Sequence, residues 1–315
     1  MTEIGGYFGL ENNVGQSYHN SLIALNTGRN AFEYILKLRE YKHIYIPYFT
    51  CDAILEPLKK LEIRYTFYSI NDRLEFQSFN NFKKESGILY TNYFGLKSEY
   101  IELLVTKFPN LIIDACQAFF YKPLPGIDTF YSPRKFFGVS DGGYVSCDKT
   151  LKDTFTHDSS FNRFSHLLIR IDKGAEKGYS NFKANEDALA DLPIRLMSKL
   201  TTTLMNGIDY QNSLNKRNEN FSFLHSKLKK QNGFTWIKED LINGPMIYPF
   251  YTTQKNLREK FINHKIYLAQ YWPNIVDWVN KESNEFKYYE NILTLPIDQR
   301  YGKEEMKIII GIING

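Results

Sequence analysis

Gly87-Ile-Leu-Tyr-Thr91, then Ser98–Lys107, then Leu111-Ile-Ile-Asp114 read as strand, helix and strand in close succession. Each short apolar run is bounded by turn residues, with Asn92-Tyr-Phe-Gly95 as the turn between the first two elements. Two buried strands joined through a helix form a βαβ unit, which requires a parallel sheet. Upstream the alternation continues. Ile44-Tyr-Ile46 is a strand ended by Pro47, Phe49-Thr-Cys51-Asp52 opens a helix reaching Lys60, and residues 63–68 form another strand. Residues 74–84 are polar and irregular. The fold class that follows is α/β, with a mostly parallel sheet flanked by helices.

In such sheets ligands bind beyond the carboxyl ends of the strands. Thr50, Asn92 and Asp114 all fall there. An Asp closing an apolar strand is costly unless paired or hydrogen-bonded. It either caps the following turn or holds a positive group, such as a ring nitrogen.

Nearer the N-terminus, residues 1–20 are Gly-rich and polar and read as an irregular arm. Leu22-Ile-Ala-Leu25 is a short apolar run. After it, Asn26-Thr27-Gly28-Arg29-Asn30 opens a segment with apolar residues at 31, 32, 35, 36 and 38, one face of a helix. Asn26 or Thr27 is its cap. A helix that begins at a glycine turn is either an ordinary capped end or an anion site built from free backbone N–H groups.

Downstream comes Phe130-Tyr-Ser-Pro-Arg-Lys135-Phe-Phe-Gly138-Val-Ser-Asp141-Gly-Gly143, followed by the strand Tyr144-Val-Ser-Cys147. One lysine stands in an aromatic run. It is either an exposed partner of Arg134 or a covalent nucleophile. The second role needs a dry site, because desolvation disfavours the ammonium and frees the amine. Tyr131, Phe136 and Phe137 are the expected wall.

From residue 150 the character changes. Residues 150–192 are charged and loop-like, with Lys173-Gly-Ala-Glu-Lys-Gly178 as a mobile stretch. Residues 192–228 read as one or two helices whose stripe Leu196, Leu200, Leu204, Ile208 and Leu214 is core or a subunit contact. A smaller α+β part follows. It has apolar runs at 246–249, 266–271 and 292–296 and helices over 253–263 and 303–313. The expected division is a large domain with its N-terminal arm over 1–192, then linking helices and a small C-terminal α+β domain over 193–315.

Composition excludes several classes. Of the 315 residues 43% are hydrophobic, enough for a sizeable core. The net charge of +4 comes from 39 basic and 35 acidic residues scattered along the chain, which argues against nucleic acid. The three cysteines, at 51, 116 and 147, are too few and too widely spaced for a disulfide framework or a zinc site, and no metal is expected. Cys116 and Cys147 read as buried filler. No apolar run reaches membrane-spanning length, and Met1-Thr-Glu-Ile-Gly-Gly-Tyr is not a targeting segment. A cytoplasmic protein is expected.

Taken in order, five segments resemble the DegT/DnrJ/EryC1/StrS family. Asn26-Thr27-Gly28-Arg29-Asn30-Ala31 is similar to its Asn-Ser-Gly-Thr-Ala-Ala turn, and Pro47-Tyr-Phe-Thr50 with Ala53 to its Pro-x-x-Thr-x-x-Ala segment. Ile113-Asp114-Ala-Cys-Gln117-Ala118 resembles Glu-Asp-x-Ala-Gln/His-Ala. Lys135 with Asp141-Gly-Gly143 resembles its lysine followed by Glu-Gly-Gly, and Leu293-Thr-Leu-Pro296 its late Leu-x-Leu-Pro. The resemblance spans nearly the whole chain and is strongest over 25–147.

What it implies is a fold-type I, pyridoxal 5'-phosphate-dependent aminotransferase acting on a nucleotide-linked keto sugar, with glutamate as amino donor, in surface-polysaccharide or related sugar biosynthesis. A homodimer with sites shared between subunits is implied as well. By the same resemblance Lys135 and Asp114 are catalytic: Lys135 bonds the cofactor and Asp114 pairs with its ring nitrogen. Gln117 faces the ring's phenolic oxygen, the backbone of Gly28, Arg29 and Asn30 takes the phosphate, and Cys51 and Ser132 line the cofactor.

Three positions depart from the pattern. Phe130 stands where the family often has a phosphate-binding serine, with Ser132 closer to the lysine. Cys51 stands where an aromatic ring usually stacks on the cofactor, leaving Tyr48 or Phe49 as substitutes. The Gly-x-Asn-x-Arg loop that reaches a neighbouring subunit is only echoed by Gly178-Tyr-Ser-Asn181-Phe-Lys183. Alternatives are a pyridoxal-phosphate enzyme for a smaller ketone, and a non-catalytic relative serving as a binding or assembly protein. Family dehydratases tend to carry histidine in place of the lysine, and Lys135 argues against that branch.

Overall fold

A computed structural model describes residues 4–78 and 82–315. The first three residues of the expected arm and residues 79–81 of the irregular 74–84 stretch lie outside the described residues.

The described elements, in chain order, begin with β1 (Ile23–Leu25), α1 (Gly28–Arg39), β2 (His43–Pro47), α2 (Leu55–Lys60) and β3 (Arg64–Tyr68). Next come β4 (Gly87–Thr91), α3 (Ser98–Lys107), β5 (Leu111–Asp114), β6 (Asp128–Tyr131) and β7 (Gly143–Ser146). The second half holds α4 (Ser165–Lys173), α5 (Ala175–Ala188), α6 (Lys199–Asn206), α7 (Tyr210–Leu228), β8 (Tyr248–Tyr251) and α8 (Leu257–Asn263). It closes with α9 (Ile275–Trp278), α10 (Asn284–Asn291), β9 (Ile292–Leu295) and α11 (Lys303–Asn314).

Among the described residues, one sheet runs β1-β7-β6-β5-β4-β2-β3. The pairs β3·β2, β2·β4, β4·β5 and β5·β6 are parallel; β7 is antiparallel to both of its neighbours. The α/β class with a mostly parallel sheet is therefore the observed one. Strand β6 was not anticipated: Asp128 and the following Pro133 and Arg134 disguise a run of only four residues.

Strand periodicity sorts the core. Leu89, Ile112, Phe130 and Val145 face α1 and α2, packing with Phe32, Ile35 and Leu58. Their neighbours Ile88, Tyr90, Ile113, Tyr131 and Tyr144 point to the other face. There they join α3, α7, α11 and the two-stranded antiparallel β8–β9 sheet in one continuous core. Successive side chains of a strand take opposite faces, so a sheet covered on both sides reads as unbroken apolar runs. The C-terminal part shares that core with the sheet.

Residues 150–192 are not a loop. Most of the span is a helical hairpin: Lys173 ends α4, Gly174 turns the chain at φ +85°, and Ala175 begins α5. Gly178 permits the crossing, since a Cβ there would stand 2.9 Å from the carbonyl oxygen of His166. Sequence periodicity missed the pair because its outer face keeps Leu168, Ile171 and Tyr179 exposed among charges. Further on, α6 buries Thr201 and Met205, and the predicted leucine stripe lies half-buried beside them. Residues 266–271 are neither helix nor strand. No helix among the described residues is long and apolar enough to cross a membrane. No His, Cys, Asp and Glu group among them could hold a metal ion.

Candidate active site

The carboxyl ends of β5 and β6 and the amino end of α1 converge. Asp114 ends β5 and is buried. Its Oδ1 accepts from the Cys116 amide at 2.9 Å, and its backbone carbonyl accepts from the Asn92 amide at 2.9 Å. Asp114 thus caps its own turn and still presents its second oxygen, with Thr91 Oγ1 at 3.5 Å. Gln117 is buried one turn on. Its Oε1 accepts from the Phe94 amide at 3.0 Å, which holds Phe94 in the left-handed region at φ 58°. Its Nε2 is buried with no acceptor among the described residues.

Lys135 ends the short 3-10 turn Pro133–Lys135. It is exposed to solvent, with Cys116, Asp114, Cys51 and Tyr271 within electrostatic reach of its amine. The expected wall is different. Tyr131, Phe136 and Phe137 turn into the core beneath, where the Arg217 guanidinium stacks 4.5 Å over the Phe136 ring. Two thiols, a phenol and the Asp114 carboxylate are the groups within electrostatic reach of the lysine instead.

The direction of its titration also corrects the expectation. Burial works against the ammonium, but Cys116, Asp114, Cys51 and Tyr271 work for it, and the net value lies above the usual lysine range. Burial raises the Cys51, Cys116 and Tyr271 values, so these three are neutral at pH 7. The site by itself stabilises Lys135 as a cation.

The turn before α1 is locked to the lysine loop. Gly142, at φ +115°, donates its amide to the Asn26 carbonyl at 2.6 Å. A Cβ on Gly143 would stand 2.3 Å from the Thr27 carbonyl oxygen, so only glycine fits. A Cβ on Gly28 would touch both Cys116 Sγ and Ser132 Cβ at 3.4 Å, which places two of the predicted residues, Gly28 and Ser132, around one point together with Cys116.

Thr27 is the cap, accepting the Asn30 amide at 3.0 Å. That contact removes Asn30 from the expected anion set. Its amide is taken, and its side-chain amide group donates to Glu33 and to the Leu192 carbonyl. Gly28 and Arg29 remain.

The departures from the family pattern have physical substitutes. Phe130 stacks on Phe32 of α1 at 5.2 Å, in the core. Tyr48 lies on Phe67 at 4.6 Å, and Phe49 is buried against Tyr93, Trp272 and Tyr288, so neither ring is free to line the site. The ring that does face Lys135 and Cys51 is Tyr271, from the C-terminal part. Sequence reasoning missed it because 266–271 carried only an apolar pattern. Gly178–Lys183 lies on α5, where Asn181 donates to Ser165 Oγ at 3.2 Å within the same hairpin. Cys116 is buried; Cys147 is half-buried and donates to the Lys149 carbonyl at 2.8 Å.

No family model and no curated protein matches the chain. Solved structures do. The sugar aminotransferase CalS13 from Micromonospora echinospora superposes with a TM-score of 0.63 at 10% identity, over 93% of this chain and 87% of that one. NtdA from Bacillus subtilis, solved with bound cofactor PMP, gives 0.63 at 14% identity over 93% and 73%. A DegT DnrJ EryC1 StrS aminotransferase from Brucella abortus gives 0.58 at 15% identity over 93% and 85%. At these identities the likeness is one of fold, and the fold is that of these aminotransferases.

Proposed function

We propose that the chain is a pyridoxal-phosphate-dependent aminotransferase that moves an amino group from an amino-acid donor, glutamate, to a nucleotide-linked keto sugar. The observation that carries this reading is the placement of Lys135 and Asp114. They come from neighbouring strand ends and lie within electrostatic reach of each other, next to the turn that opens α1, in a fold shared with sugar aminotransferases. The donor left over on Gln117 fits the cofactor, whose phenolic oxygen is an acceptor. Lys135 would hold its aldehyde end, Asp114 its ring nitrogen, and Gly28, Arg29 and Ser132 its phosphate, with Cys51 and Tyr271 beside it.

Bound pyridoxal phosphate supplies the electron sink for removing a proton from the amino acid's α-carbon. Lys135 moves that proton, as base and then as acid. Its raised value suits the acid half. For the base half the amine must first give up its proton. Asp114, fixed by the Cys116 amide, would pair with the ring nitrogen.

Residues 1–192 would carry the cofactor and 193–315 would close the site through Tyr271. A cytoplasmic homodimer belongs to the same reading, and the exposed Leu168, Ile171 and Tyr179 on the hairpin support a second copy. The pathway would be surface-polysaccharide or related sugar biosynthesis.

The test is spectral. Glutamate added to the cofactor-loaded protein should change the cofactor absorbance, and one keto sugar of a nucleotide-linked panel should reverse the change. Indifference of the absorbance to every amino acid would end the proposal.

A further inference from the structure

Unsatisfied polar atoms concentrate beneath the α4–α5 hairpin. Arg29 Nε, Arg134 Nε, Arg163 Nε and Ser140 Oγ are all buried there without a hydrogen-bond partner. Each arginine already has an acid. Arg29 Nε is 3.4 Å from Glu56 without a hydrogen bond, and Arg134 pairs with Glu186 of α5. Arg163 donates to Asp158 at 2.6 Å and to Asp141 at 3.3 Å. A buried donor left unpaired costs free energy, and native proteins keep few of them. Three guanidinium groups sharing this defect in one place point to an absent common acceptor.

Geometry puts that acceptor at the α1 amino terminus. Arg29 is the second residue of the helix, and Arg134 is within electrostatic reach of both Arg29 and Arg163. Asp141, the partner of Arg163, is followed by Gly142, which is bonded to Asn26. The hairpin closes the layer from above, since Asn185 donates to the Ser140 carbonyl at 2.9 Å. Burial first, then the neighbouring Arg29, pushes the Arg134 guanidinium down to about 10, against the pull of Asp141.

We propose that Arg134 and Arg163, together with Arg29 at the start of α1, form a site for a phosphate monoester dianion covered by the α4–α5 hairpin. Guanidinium groups bind phosphate through charge-assisted, often paired hydrogen bonds, and a helix amino terminus adds backbone donors. A dianion satisfies several Nε–H donors at once, which a single water cannot do. The inference rests on the proposed cofactor reading, in which the phosphate is the cofactor's own. It assigns Arg134 the phosphate contact that Phe130 cannot make.

The test compares pyridoxal phosphate with pyridoxal, which share the aldehyde and the ring and differ in the phosphate. Both affinities are measured by absorbance titration on wild type, Arg134→Met and Glu186→Gln. The expected result is a preference for the phosphorylated form in wild type that falls at least tenfold in Arg134→Met, with pyridoxal affinity unchanged. In Glu186→Gln, which frees the guanidinium without removing it, the preference should rise. An unchanged preference in both variants overturns the site. Calorimetry with inorganic phosphate on the protein alone separates the two proposals. Phosphate binding that is lost in Arg134→Met, with neither pyridoxal form bound, keeps the anion site and removes the cofactor reading. No phosphate binding and no preference removes both.

Discussion

The strand-end cluster and the arginine layer lie side by side and are built on opposite principles. Around Asp114 the chain satisfies its own polar groups, since the carboxylate accepts from Cys116 and the Asn92 amide is bonded to its carbonyl. Among the described residues at the strand ends, Gln117 Nε2 and Thr50 Oγ1 are left over. Beneath the hairpin, the Nε atoms of three half-buried arginines and the hydroxyl of buried Ser140 are left unmatched. The first region fixes geometry before a ligand arrives. The second holds charge that becomes satisfied when one does. Preorganised chemistry and deferred binding energy are thus kept in adjacent but separate parts.

The largest effect should come from the preorganised side. Lys135→Ala removes the amine that moves the proton, and turnover should fall by on the order of 10³-fold or more. Full aminotransferase activity in that variant would refute the role. Asp114→Asn keeps the shape and removes the charge opposite the ring nitrogen. The rate should fall on the order of 10²-fold, an effect typical of losing one preorganised electrostatic partner. An unchanged kcat would remove Asp114 from the chemistry.

Effects on the frame should be smaller. Gly143→Ala forces a methyl against the Thr27 carbonyl, and the denaturation midpoint should report a loss of roughly 1–3 kcal/mol. A neutral result would mean that the turn before α1 is not locked to the lysine loop.

An acid-side effect separates frame from site. His19 is buried, donates to the Phe119 carbonyl at 2.7 Å, and is pushed by burial down to about 4. Its folded value lies below its unfolded one, so the unfolded chain takes the proton first. Stability should fall as pH drops from about 6.5 towards 4, by about 3 kcal/mol at most, and level off below. Urea midpoints for wild type and His19→Leu between pH 7 and 4 should converge; parallel curves would contradict the assignment.

Much of this was legible beforehand, for a physical reason. Strands β4 and β5 are covered on both faces, so burial alone writes them as apolar runs, and Asp114 stands out where the run ends. Glycines 142 and 143 were readable because a close backbone approach admits nothing larger. The hairpin was not legible. Two amphipathic helices that expose Leu168, Ile171 and Tyr179 mimic a charged loop, and a glycine at their crossing looks like a breaker. Arg134 is visible in the sequence, but there it figures only in the alternative that leaves it exposed beside the lysine. Local sequence cannot tell that α5 folds back to bury it against Glu186. Tyr271 escaped for the same reason: only tertiary contact brings the C-terminal part over Lys135.

The most direct test of the central claim is borohydride reduction of the protein loaded with pyridoxal phosphate, followed by peptide mapping. The account predicts a single pyridoxyl group on the peptide that contains Lys135. Labelling confined to other lysines, or no labelling at all, would contradict it.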